Sequence, residues 1–185
     1  MKTDSPSFNP VQTTPFGIKI KIKAHLWQLV NNTFFRILPL QCRSYRIFLL
    51  RLFGAQLANS VTISRLANIE HPWNLTMGDL SSLGDGSWAY CLAPISIDEK
   101  CCIGKDVFLL TGSHDVDDST FPMITRPIII NKGCWVSTGA YILPGVELGQ
   151  FSVIGARSVV TKSTLEFSIM GGNPAKYLRR REFKK

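Results

Sequence analysis

Three histidines and five cysteines are the side chains of this sequence best suited to proton transfer, nucleophilic attack or metal binding. The cysteines, Cys42, Cys91, Cys101, Cys102 and Cys134, are odd in number and contain no C-x-x-C pair, which points to neither a disulfide framework nor a zinc site. His25, His71 and His114 are too scattered to supply the clustered histidines of a repeat-borne metal centre. What remains is acid–base chemistry, because an imidazole titrates near neutral pH and can take the proton of a weak nucleophile as it attacks. His114 is the best placed of the three. It follows Thr111-Gly112-Ser113, precedes Asp115, and stands where an irregular segment, 115–127, leaves an otherwise repetitive sequence. Asp115 is a candidate to fix the tautomer of His114, a task that a backbone carbonyl performs equally well. His25 and His71 read as bystanders, one in a helical stretch and one in a poorly repeating stretch.

The elements that must position His114 are legible as a period. Ile130, Val136, Ile142, Leu148, Ile154 and Val160 lie six residues apart without a break, and a small or β-branched residue follows each by four: Cys134, Ala140, Val146, Ser152, Ser158 and Thr164. Met77, Leu83 and Ala89 form an earlier run, and after a two-residue slip Ile97, Ile103 and Leu109 form another. Ile63, Ile69 and Leu75 look like a weaker opening set. With about a third of residues aliphatic, six consecutive matches have a chance of order one in a thousand per frame. A period of six is neither helical nor that of one long strand. It fits short strands joined by tight corners, three to a triangular coil of eighteen residues. Stacked coils would then set Ile130 against Leu148, Val136 against Ile154 and Ile142 against Val160. Gly78, Gly84, Gly104, Gly149 and Gly155 suit crowded corners. The segment 115–127 projects from this solenoid, and a loop of that length on a tight repeat is a functional feature.

Three segments follow: 1–58, helical; 59–167, the solenoid with its loop; and 168–185, a basic extension with a short helix. Helices are expected at about 24–38 and 42–53, separated by Pro39. Residues 16–58 interleave Phe16, Trp27, Phe34, Phe35, Phe48 and Phe53 with Lys19, Lys21, Lys23, Arg36, Arg43, Arg46 and Arg51. That mixture suits either a cap on the end of the solenoid or a helix pair lying on a membrane surface. At 185 residues and 20.7 kDa, with 45% hydrophobic and 18% charged residues, the chain can bury a core and is not a disordered tail. The formal charge of +8 favours a polyanionic partner, whether nucleic acid, anionic lipid or a phosphate-rich cofactor. The polar N-terminus does not read as a signal peptide, and cysteine usage fits a reducing, cytoplasmic setting.

The repeat, the entry Leu49-Leu50-Arg51-Leu52-Phe53-Gly54-Ala55, Pro72-Trp73-Asn74-Leu75, Thr111-Gly112-Ser113-His114-Asp115, Pro144-Gly145-Val146, Ser158-Val159-Val160-Thr161-Lys162 and Gly172-Asn173-Pro174-Ala175-Lys176 together resemble the hexapeptide-repeat acyltransferases. Among these, the chain is most similar to the O-acetyltransferases of colanic-acid and exopolysaccharide biosynthesis, relatives of the maltose and galactoside enzymes. The resemblance implies an all-β fold, a left-handed parallel β-helix, assembled as a homotrimer with its active sites between subunits. It implies acetyl-CoA as donor, a sugar or glycan hydroxyl as acceptor, no nucleic acid and no metal. His114 falls at the family's general base. Trp135, Thr138, Ala156, Thr161 and Lys162 fall in its coenzyme groove, with Arg179, Arg180 or Arg181 in reach of the phosphates. Trp88, Tyr90 and Cys91 fall where the acceptor binds, with Cys91 at a position where relatives often carry asparagine. Arg157 replaces a usual glycine, and Ser163 and Leu165 replace Asp and Pro after Thr161-Lys162, so the adenine end of the groove is expected to differ. A catalytically inactive scaffold on the same solenoid is the reading that competes with an enzyme.

Overall fold

The computed structural model describes residues 8–10, 16–37 and 42–184. Its body is a solenoid of very short strands in three parallel sheets. Sheet A contains Gln56–Leu57, Leu75–Met77, Ile95–Ile97, Ile128–Ile130 and Glu147–Leu148. Sheet B runs from Thr62–Ile63 through Ser82–Leu83, Cys102–Ile103, Trp135–Val136 and Val153–Ile154 to Ser168–Gly171, and ends on Lys176–Arg180. Sheet C contains Asn68–Ile69, Trp88–Tyr90, Phe108–Leu110, Tyr141–Ile142 and Val159–Val160. The chain passes from A to B to C and back to A in every coil.

The register explains the period. Ile130 pairs with Leu148, Val136 with Ile154 and Ile142 with Val160, as the eighteen-residue coil requires. Every residue of those aliphatic columns is buried. The earlier set is buried too, including Ile63, Ile69 and Leu75. The backbone groups of each coil bond to the coils above and below, so the strands satisfy each other along the axis while their inward side chains form one core. Coils stack so closely that a Cβ on Gly78 would stand 2.6 Å from the backbone nitrogen of Glu99 in the next coil. Arg157, the replacement for glycine, takes the left-handed conformation, φ 55°, that glycine would favour.

Among the described residues three helices cover the first coils: α1 (Ile18–Asn32), α2 (Phe34–Ile37) and α3 (Arg43–Leu52). The first begins six residues before its expected start. Ile18-Lys19-Ile20-Lys21-Ile22-Lys23 alternates with a period of two and hides its helical character, which packing reveals. Trp27, fully buried on α1, donates from Nε1 to the Ile69 carbonyl at 2.5 Å and meets Phe35 and Phe53 edge-on or tilted. On α3, Ile47 and Leu50 enter the core, and Arg46, fully buried, donates from Nε to the Ile63 carbonyl at 3.0 Å. The break expected at Pro39 lies outside the described residues.

Among the described residues the C-terminal extension contains no helix, contrary to expectation. Instead, Ser168–Gly171 joins sheet B in parallel with Val153–Ile154, and Lys176–Arg180 returns antiparallel to it. The exposed edge of the last coil dictates this, because an unpaired row of backbone groups is satisfied by a strand and not by a helix.

Candidate active site

Surplus chain accumulates at one corner, where sheet C turns into sheet A. The later coils repeat every eighteen residues, whereas Met77 and Ile97 are stacked partners twenty residues apart, and Ile97 and Ile130 are partners thirty-three apart. The extra residues form the turn Cys91–Pro94 and the segment after Thr111. Thr111, fully buried, stitches these layers together: its hydroxyl donates to the Tyr90 carbonyl at 2.6 Å and accepts from the Ala93 N–H at 3.0 Å. The projecting segment is a β-hairpin. Gly112–His114 and Met123–Thr125 pair antiparallel, with His114 opposite Met123.

His114 therefore sits at the mouth of the hairpin, half-buried. Its Nδ1 lies 2.9 Å from the carbonyl oxygen of Phe121, and its ring stacks on the Phe121 ring, centroids 4.4 Å apart and 5° from parallel. A carbonyl only accepts, so this contact places the proton on Nδ1 and leaves the lone pair of the neutral imidazole on Nε2. The ring is oriented and its tautomer selected. Phe121 itself holds φ 48°, a conformation fixed by its N–H to the Asp118 carbonyl at 2.9 Å and rare for a bulky residue.

Asp115 does not orient His114. Its carboxylate is exposed and accepts from the Asp117 N–H at 3.1 Å, closing a local turn, and the carbonyl of Phe121 takes the orienting role. Asp118 similarly binds the N–H and hydroxyl of Thr120, both at 2.8 Å, and these bonds hold its carboxyl below the usual range. Phe121 is the residue that sequence reasoning missed. Neither its type nor its spacing announces that its carbonyl and ring converge on His114.

Trp88 and Tyr90 stand on sheet C beside the hairpin. Their rings meet edge-on at 5.4 Å, and a Cβ on Gly112 would lie 3.0 Å from the Tyr90 ring, so Tyr90 packs against the hairpin base. Trp88 donates from Nε1 to Glu70 at 3.2 Å, and its ring continues through Phe108 to Tyr141 in an aromatic ladder across the sheet. Burial, with Glu70 adding repulsion, pushes the Tyr90 hydroxyl above its ordinary value. Cys91 departs from expectation: its side chain is fully buried, donates to the Ala89 carbonyl at 3.0 Å, and has its thiol pushed up by burial to about 12. It faces the core, with no surface to offer an acceptor. Alternation explains this, since Tyr90 points outward and its neighbour must point in.

The groove residues divide between two corners. Thr161 and Lys162 follow sheet C and share the corner of His114, both exposed. Thr138 and Ala156 lie in stacked turns where sheet B becomes sheet C, exposed, and Trp135 faces outward from sheet B and is 47% exposed. Sheet C separates the two groups within one chain. Arg179 and Arg180 are exposed on the last strand, with the Arg180 guanidinium over the Phe167 ring. Arg181 is occupied otherwise, donating to the Gly133 and Phe151 carbonyls at 3.0 and 3.1 Å, and so braces the final strand. Among the described residues no group of three His, Cys, Asp or Glu could hold a metal ion. His71 lies buried at the same corner, stacked on Trp73 at 4.7 Å, with Nδ1 lacking a partner among the described residues.

A triangular solenoid of six-residue rungs, with the oriented imidazole of His114 at the corner where sheet C turns into sheet A, defines a protein of the β-solenoid class. No family model matches the sequence. It is 40% identical over 160 residues to the protein named as the colanic acid biosynthesis acetyltransferase WcaF of Escherichia coli K12, covering 86% of this chain and 88% of that one. Its structure superposes with TM-score 0.77 and 27% identity on the hexapeptide-repeat acetyltransferase VCA0836 of Vibrio cholerae, solved with acetyl-CoA, covering 89% and 88% of the two chains. A galactoside acetyltransferase solved with coenzyme A gives 0.82 at 21% identity, covering 91% and 86%, and shares the fold. The chain belongs to the hexapeptide-repeat acetyltransferase family and is an enzyme of that class.

Proposed function

We propose that this acetyltransferase moves the acetyl group of acetyl-CoA to a hydroxyl of a sugar or glycan precursor, with His114 as the general base. The carrying observation is the bond between the Phe121 carbonyl and His114 Nδ1, which leaves Nε2 as the proton acceptor. As the acceptor oxygen attacks the thioester carbonyl, Nε2 takes its proton. The tetrahedral intermediate collapses with cleavage of the C–S bond, and the imidazolium returns the proton to the departing sulfur. A backbone N–H near the carbonyl oxygen would steady the intermediate. The acetyl-CoA bound to VCA0836 supports the donor, and the name of WcaF supports a saccharide acceptor.

The division of the groove supports a trimer. With His114, Thr161 and Lys162 at one edge of sheet C and Thr138 and Ala156 at the other, a cyclic arrangement sets one edge of each subunit against the opposite edge of its neighbour and completes each groove. Trp88 and Tyr90 then receive the sugar ring, and Arg179 and Arg180 are placed to meet phosphates. This reading sets the reaction in the cytoplasm, where acetyl-CoA is made and thiols stay reduced.

The test is incubation of the purified protein with acetyl-CoA and a panel of mono- and oligosaccharides, following free thiol. Acceptor-dependent release, with an acetyl ester detected on the sugar by mass spectrometry, is expected. Absence of acceptor-dependent release across the panel would favour a non-catalytic scaffold.

A further inference from the structure

The helices carry two apolar faces, and the solenoid uses one. At about 100° per residue, Ile18, Ile22, Leu26 and Leu29 fall within a single arc of α1, each more than half exposed. Trp27 and Asn31, the buried residues of this helix, lie on the opposite side. On α3, Phe48 and Leu52 stand one turn apart, 62% and 68% exposed, opposite the buried Ile47 and Leu50. Phe34 and Ile37 of α2 are exposed as well. Clustered apolar exposure of this kind marks a surface that meets something.

Charge selects the occupant. Residues 16–58 contain seven Lys and Arg and no Asp or Glu. Lys19 and Lys21 are exposed and flank the α1 stripe on either side, and Arg43 is exposed at the start of α3. A second copy docked here about a two-fold axis would set cation against cation. A bilayer bearing anionic headgroups supplies apolar depth for the stripe and counter-charge for its rims. Among the described residues no helix is long and apolar enough to cross a membrane, so α1 would lie in the interface plane.

We propose that the outward stripe of α1, with its flanking lysines and the exposed apolar residues of α3, docks this enzyme on an anionic lipid surface. The contact does not depend on the acceptor assigned above, and it is read without any substrate.

The test is co-flotation of the full chain with vesicles of phosphatidylcholine alone and of phosphatidylcholine mixed with phosphatidylglycerol. The protein is expected to float with the mixed vesicles only, and less as salt shortens the Debye length below about 10 Å. Ile22→Glu/Leu26→Glu and, separately, Lys19→Glu/Lys21→Glu should each cut the bound fraction about tenfold, with circular dichroism and sedimentation unchanged. If the apolar pair alters the assembly, the lysine pair decides the outcome. A wild-type protein that stays with the soluble fraction, or variants that float as it does, would overturn the proposal. Failure to float combined with a changed oligomer mass in the apolar variant would assign the stripe to contacts between copies.

Discussion

His114 owes its chemical character to a residue seven positions on. A loose histidine at a loop edge samples two tautomers, but one whose Nδ1 faces a carbonyl at 2.9 Å keeps its lone pair on the other nitrogen. The Asp115 carboxylate contributes nothing to that geometry. Asp115→Asn should therefore leave kcat within about twofold, while Phe121→Ala, which removes the stacked ring and loosens the hairpin tip, should lower it about tenfold; steady-state kinetics on both variants checks the contrast. His71 makes a different prediction. Burial lowers its pKa below the usual value, so the folded state binds fewer protons than the unfolded one across that interval. Stability is complete above the unfolded pKa, near 6.5, and is lost as pH falls below it. Thermal unfolding between roughly pH 7 and 5 should show a falling Tm in the wild type and a flatter profile in His71→Phe, where Phe keeps the stack on Trp73 without a proton to gain. At this scale the sequence exposed His114 by type and by its place before a break in the repeat. Phe121 stayed hidden because a backbone carbonyl carries no side-chain signature, and Cys91 misled because its inward direction depends on the pleat.

The elements were legible where a single force dictates them. Each aliphatic rung is buried, so the six-residue period writes the core directly into the sequence, down to the pairing of Ile130 with Leu148. The same closeness of coils predicts that Gly78→Ala, whose Cβ would press on the Glu99 backbone at 2.6 Å, costs about 1–3 kcal/mol, measurable by urea unfolding. Legibility fails where partners decide. Lys176-Tyr177-Leu178-Arg179-Arg180 is uniformly exposed and reads as a basic helix, yet it becomes a strand because Ser168–Gly171 presents an open edge. The alternating Ile-Lys start of α1 lies before the helix expected from about residue 24, and it is helical for a comparable reason: Trp27 of the same helix is anchored on the Ile69 carbonyl.

Across the whole molecule, the proposed trimer makes the two edges of sheet C complementary halves of a site. That arrangement predicts rescue between two inactive variants. His114→Ala removes the base at one edge, and Ala156→Trp fills the groove at the other. Co-assembled in equal amounts in a cyclic trimer, they should regain roughly a quarter of wild-type sites, since a site needs one intact edge from each neighbour. Activity of the mixture no greater than that of either variant alone would place the site within one chain. The imidazole remains the centre of the account. The most direct test is therefore kcat for acceptor-dependent thiol release by His114→Ala beside its affinity for CoA. A fall of about 10²–10⁴ in kcat with CoA binding unchanged is the expected result, whereas an undiminished rate, or loss of CoA binding together with activity, would contradict His114 as the base.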